Sequence, residues 1–236
     1  MRYFLSFFLF LSAVFGFEMP QVTGVLTNVK DGYGYVANNP NLRIGSAGIV
    51  THAFGNGEKS IIARAVVTEK SGNLAKVRFE VYSNLAQSAL PVPGVLPREG
   101  DRVILNYLYS RALIVAPNEE VYNQVVNHFS NITFVHPDIA AAHLADIHSP
   151  VPSREDFRQI CYQNAAGLIF IALNNQGIFA DCGSFLPLET IQTGTIAHYQ
   201  KPFYSHIENI DTYFWEFGGS EINNYDSYYR KLLEQK

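Results

Sequence analysis

The rhythm of polar and apolar positions in this chain changes once, close to Gly100-Asp101. Before that point, apolar residues come in short runs broken by glycine, proline and asparagine. The clearest run is Ala75 to Val81. There Ala75, Val77, Phe79 and Val81 alternate with Lys76, Arg78 and Glu80, the period-two pattern of a strand with one buried and one wet face. Val22 to Val36 reads as short strands bent at Gly24, Gly32 and Gly34, and Ser60 to Thr68 as a further strand. Phe54-Gly55-Asn56-Gly57 and Lys70-Ser71-Gly72-Asn73 read as hairpin turns. Arg43 to Val50 carries two glycines three apart but no Lys-Ser/Thr after them, so it reads as a barrel turn rather than a phosphate loop. Turns about every ten residues predict a small barrel or sandwich. Asn84 to Leu90 predicts one helical turn, and Pro91, Pro93 and Pro97 a stiff connector out of the β region.

The stretch from Gly100 to Asn118 joins two kinds of pattern. Val103 to Leu105 closes the β region, and Ala112 to Val115 is a second apolar run stopped by Pro117. Asn118 is placed as a helix N-cap, with Glu119 and Glu120 where the helix dipole favours carboxylates. Val121, Tyr122, Val125, Val126 and Phe129 then recur at helical spacing. Ile132 to Val135 predicts a strand, and Asp138 a cap for a second helix running to Ile147. Ser153 predicts the cap of a third helix with Phe157, Ile160 and Cys161 inward. Leu168 to Leu173 is apolar throughout, as in a central strand, and Asn174-Asn175-Gln176-Gly177 turns it into a hairpin through Ile178 to Ala180. From Tyr199 the tail is aromatic, with helices predicted over Ile207 to Phe217 and Asp226 to Leu233 and with its rings packed across the domain. The fold class expected is α+β: a small β barrel or sandwich over 17–110, then a layered α/β domain over 111–236 with an aromatic helical tail.

Composition and charge narrow the functions. Over 236 residues the formal charge is -4, which provides no basic footprint for nucleic acid. Residues 1–16 read as a signal peptide, with Arg2 as a minimal basic start, Phe4 to Phe15 as the apolar run and Gly16 as the small residue at the cleavage site. No cysteine follows that run, so no lipid anchor is expected, and no later run has the length of a transmembrane helix. Export bears on Cys161 and Cys182, which an oxidising compartment lets pair; the alternative is two buried thiols.

Catalytic patterns are missing. Gly-x-Ser-x-Gly is absent, nothing around either cysteine activates a thiolate, and no carboxylate pair stands apart from the turn and cap acids, so no enzyme and no cofactor are expected. His136, Asp138, His143, Asp146 and His148 form the densest polar cluster. Without HExxH spacing they read as a cap and polar edge residues, with no metal expected.

The blocks "GDRVILNYLYSRALIVAPN", "FSNITFVHPDIAAAHL", "AVVTEKSGNLAKVRFE" and "YDSYYRKLL" together resemble the N-terminal domain of the bacterial plasminogen-binding proteins, a surface family. The likeness runs from about Val22 to the end. It implies lysine-dependent plasminogen binding. Kringle lysine sites recognise a cation and a carboxylate held apart with aromatic rings between, and a terminal lysine offers both charges on one residue. Lys236 is the last residue of the sequence and Lys231 its nearest helper, among only seven lysines. Two functions are expected from these signals. The first is a secreted binding module of the envelope or cell surface, with plasminogen as partner. The alternative is a periplasmic structural or assembly factor that docks onto another envelope protein.

Overall fold

A computed structural model describes residues 17–55, 57–82, 94–207, 210 and 221–234. The expected signal peptide, the helical turn at Asn84 to Leu90, Pro91 and Pro93, nearly all of the helix expected over Ile207 to Phe217, and Lys236 lie outside these residues.

The first unit is a seven-stranded antiparallel sheet. Its strands are β1 (Val22–Val25), β2 (Thr27–Lys30), β3 (Tyr33–Ala37), β4 (Ala47–Ala53), β5 (Lys59–Ser71), β6 (Leu74–Glu80) and β7 (Arg102–Leu105), in the spatial order β1-β7-β4-β5-β6-β3-β2. The two edge strands are consecutive in the chain and separated only by Leu26, so the sheet curls into a half-barrel whose edges meet at that residue. Leu26 holds the corner: its amide donates to the Asp101 carbonyl and its carbonyl accepts from Gly100. Inside lie Leu26, Val36, Leu42, Val50, Ala63, Ala65, Val67, Ala75, Val77, Val103 and Leu105. The alternation in β6 holds for Ala75 and Val77, which are buried, whereas Val81 falls beyond the strand and is exposed. At Gly48 of β4, a Cβ would collide with the Ile104 carbonyl of β7, so only glycine fits.

The second unit is a five-stranded sheet of order β12-β11-β10-β8-β9, made of β8 (Arg111–Val115), β9 (Thr133–Val135), β10 (Leu168–Leu173), β11 (Gln176–Asp181) and β12 (Pro187–Gln192). β9, β8 and β10 run parallel, and β11 and β12 continue antiparallel. β10 is the central strand and is buried along its whole length. α1 (Glu119–His128) covers one face, packing Val125 with Ala112, Ile114, Phe170 and Phe179. α2 (Pro137–Asp146), α3 (Arg154–Gln163) and α4 (Tyr225–Glu234) cover the other, over Leu113, Val115, Ile169 and Ile171. Successive residues of β8 and β10 thus serve opposite layers, as the two-residue period of a doubly covered sheet requires.

The caps explain the helix boundaries. Asn118 accepts from the Val121 amide at 2.9 Å, and Ser153 and Asp156 form a reciprocal capping box. α2 differs from expectation: His136, not Asp138, is its N-cap, because Pro137 takes the first helical position, where a missing N–H costs nothing. Cys161, near the end of α3, is bonded to Cys182, just past β11, with Cα atoms 6.5 Å apart. Among the described residues no helix is long and apolar enough to cross a membrane.

Candidate functional site

Three of the places where the described residues concentrate polar chemistry are the C-terminal helix, the start of α2, and the joint between the two units.

α4 carries Lys231, the expected helper of Lys236. Its inner face buries Tyr225, Tyr229, Leu232 and Leu233. Tyr229 packs its ring on Phe157 and donates its hydroxyl to the Pro202 carbonyl at 2.7 Å, while Tyr228 donates to the Pro152 carbonyl at 2.6 Å. Burial is the main cause that raises the Tyr225 and Tyr229 phenols well above their ordinary range, and burial together with Asp156 pushes Tyr228 up to about 12. The helix is therefore fixed on the domain, and Lys231 stands on its exposed side with Glu234 one turn later, also exposed. Three other lysines are engaged. Lys70 donates to the Asn39 and Leu42 carbonyls, Lys76 pairs with Glu69 and lies over the Tyr33 ring, and Lys201 donates to the Asn223 carbonyl. The described tail aromatics Tyr199, Phe203, Tyr225, Tyr228 and Tyr229 pack against one another and the core, and Tyr204 packs against Tyr122 of α1; Tyr213, Phe214, Trp215 and Phe217 lie outside the described residues.

At the start of α2 the sequence cluster divides. His143 turns inward, where its Nε2 is buried without a partner. His136 and Asp138 instead meet His206, a residue that local spacing gave no reason to add. Asp138 accepts from the His206 amide at 2.7 Å and lies 3.0 Å from the His206 ring. Burial raises the Asp138 carboxyl, but these hydrogen bonds and the two neighbouring imidazoles outweigh it and hold the group below its usual range.

The joint was not visible in the sequence either. Arg64 of β5 pairs with Asp181 at the end of β11 and, at 2.8 Å, with Glu80 of β6. Tyr109 accepts from the Ala47 amide at 2.8 Å and donates to Asp181 at 3.0 Å. Burial lowers the Arg64 guanidinium, yet Asp181 and Glu80 carry it above its ordinary value. Gly183 leaves room for this guanidinium, since a Cβ there would lie 2.8 Å from it. Nearby, Arg43 pairs with Glu189 and donates to the Leu188 carbonyl. The two units are thus locked through hydrogen-bonded charges. With both cysteines in one disulfide, neither is a thiolate nucleophile.

The family described as "Plasminogen-binding protein pgbA N-terminal" matches residues 21–233, which takes in both units, the joint and all of α4 except Glu234. The chain belongs to this family. The plasminogen-binding protein PgbA of Helicobacter pylori strain J99 / ATCC 700824 is 28% identical over 200 residues, covering 83% of this chain and 44% of that protein. PgbA of strain ATCC 700392 / 26695 is likewise 28% identical over 200 residues, covering 83% of this chain and 43% of that protein. The chain thus spans less than half the length of these PgbA proteins, and their names describe binding proteins rather than enzymes.

Proposed function

We propose that this chain is a non-enzymatic binding module, exported to the bacterial envelope and presented at the cell surface, that captures plasminogen through lysine. The observation that carries the reading is the family match across 21–233, whose named relatives are plasminogen-binding proteins. α4 supports it physically. A kringle pocket needs an unengaged ammonium and a carboxylate at a set distance, and Lys231 and Glu234 stand exposed one turn apart on a helix whose other face is anchored. Lys236 brings a second ammonium, paired with its own carboxylate where the chain ends with it. An anchored helix loses little further freedom on binding, which favours affinity.

The test is capture of plasminogen by the immobilised full chain, with and without a soluble lysine analogue. The reading expects capture that the analogue abolishes. It expects deletion of Lys236 to weaken capture by on the order of 30- to 1000-fold, and Lys231→Ala to weaken it less. Capture that ignores the analogue refutes the lysine mechanism. Resistance of the chain to external protease on intact cells refutes surface presentation and leaves the periplasmic assembly role.

A further inference from the structure

Three donor groups converge where α2 begins: the His136 imidazole, the Asp138 carboxylate and the His206 imidazole, with ligand atoms all within 4.8 Å of one another. His206 comes from the segment that follows Phe203 and is 68 positions from Asp138. Asp138 Oδ1 is occupied by the His206 amide, so Oδ2 is the oxygen facing both rings, 3.0 Å from His206 Nδ1 and 3.5 Å from His136 Nδ1.

The hydrogen bonding around the cluster is unbalanced in a way that points to a cation. The Asp138 backbone N–H donates to His136 Nδ1 at 3.3 Å, which marks that nitrogen as the unprotonated one; the bond is long, and the single lone pair would leave it to ligate an ion. The same nitrogen faces a carboxylate oxygen, which is also an acceptor. Two acceptors opposed at this distance repel, and a positive ion between them turns the repulsion into attraction. Groups outside the cluster set the rings for it. An ion would displace the His206 Nδ1 proton that bonds Asp138, and Tyr204 Oη, 3.2 Å from Nε2, can accept the N–H that then sits there. The His136 ring packs T-shaped against Tyr122, with ring centres 5.5 Å apart.

We propose that His136, Asp138 and His206 form a binding site for a divalent transition-metal ion of the zinc class. Two imidazoles and one carboxylate suit such an ion, whereas calcium and magnesium select sets of oxygen ligands. Donors sharing a tetrahedral ion at about 2.0–2.2 Å lie roughly 3.3–3.6 Å apart; the 3.5 Å from Asp138 Oδ2 to His136 Nδ1 matches this, and the 3.0 Å to His206 Nδ1 is slightly shorter. A fourth position is left for water or an incoming group. The bound ion ties α2 to the segment that leads towards α4, independently of any lysine chemistry.

The experiment is calorimetric titration of the full chain, stripped with a chelator, using zinc chloride. One equivalent is expected to bind, with a rise in melting temperature that the chelator reverses; calcium chloride produces neither. Asp138→Asn, which keeps an acceptor for the His206 amide, and His206→Ala are each expected to weaken zinc binding at least about tenfold, the scale on which even outer partners of a site act. His198→Ala is expected to leave it unchanged. Cobalt(II) should produce a visible ligand-field spectrum that His206→Ala abolishes. Absence of stoichiometric zinc uptake by the unaltered chain overturns the proposal, as does uptake unaffected by Asp138→Asn and His206→Ala.

Discussion

Replacing Arg64 by Met removes the guanidinium that holds the two units together while keeping most of the side chain's bulk. The Asp181 side chain is 5% exposed and that of Arg64 14%, so their pairing takes place largely away from water. Breaking a buried pair by removing one partner costs about 3–5 kcal/mol, because the other charge is left behind. Asp181 retains three donors here: Tyr109 at 3.0 Å and the Ser184 amide and hydroxyl at 2.7 and 2.8 Å. Glu80 is 30% exposed and still meets Arg78 at 2.6 Å, so its loss adds under about 1 kcal/mol. The expected destabilisation is therefore about 2–4 kcal/mol. At about 2–4 °C per kcal/mol for a chain of this size, 3 kcal/mol lowers the melting temperature by roughly 6–12 °C. Urea unfolding followed by circular dichroism measures it, with the midpoint falling at an unchanged slope. A cycle with Asp181→Asn should return a coupling of about 1–3 kcal/mol. A loss below about 1 kcal/mol for Arg64→Met would refute the argument that this joint is a paired, desolvated network.

Three more outcomes follow from the geometry. Replacing Cys161 and Cys182 together by Ala opens a loop with a sequence separation of 21, and denaturant unfolding should show a loss of roughly 3 kcal/mol. Asn118→Ala removes both the cap of α1 and the 2.8 Å bond from its amide to the His198 carbonyl, so unfolding midpoints should report a loss of about 1–2 kcal/mol. The phenols of Tyr109, Tyr225 and Tyr229 have folded-state values raised well above 10.0, mainly by burial. A raised value means that their stabilising effect is complete below about pH 10 and declines as pH climbs past it, so thermal stability should fall steadily from there upward. Phenolate absorbance should show these rings ionising together with unfolding rather than before it; a smooth titration of all fourteen tyrosines in the folded state would contradict their burial.

Much of the second unit was legible because its signals are local. Six apolar residues in a row between turn signals read best as a strand covered on both faces, and Leu168–Leu173 is the middle strand. Asn118 and Ser153 announce their helices because a cap acts within three residues. β12 escaped notice because it begins at Pro187 and lies on an edge, where Glu189 and the exposed Gln192 dilute the pattern. The candidate sites were hidden for a related reason. Arg64 and Asp181 are 117 positions apart and Asp138 and His206 are 68 apart, and no periodicity connects residues that only the assembled fold brings together. Asp138 looked like a cap because a carboxylate near a helix start normally is one; Pro137 moved that task to His136 and freed the carboxylate for the tail.

The corner at Leu26 has a bearing on how the molecule avoids meeting copies of itself. A sheet with long free edges invites strand-to-strand polymerisation, since every unpaired amide and carbonyl is a template. Here the margins of the first sheet are a single bent segment, four residues on either side of the corner, so little ladder is left unpaired. The second sheet keeps true borders at β9, three residues long, and β12, which opens with a proline that cannot donate. Even at high local concentration, copies of the molecule would find little open ladder on either sheet along which to pair.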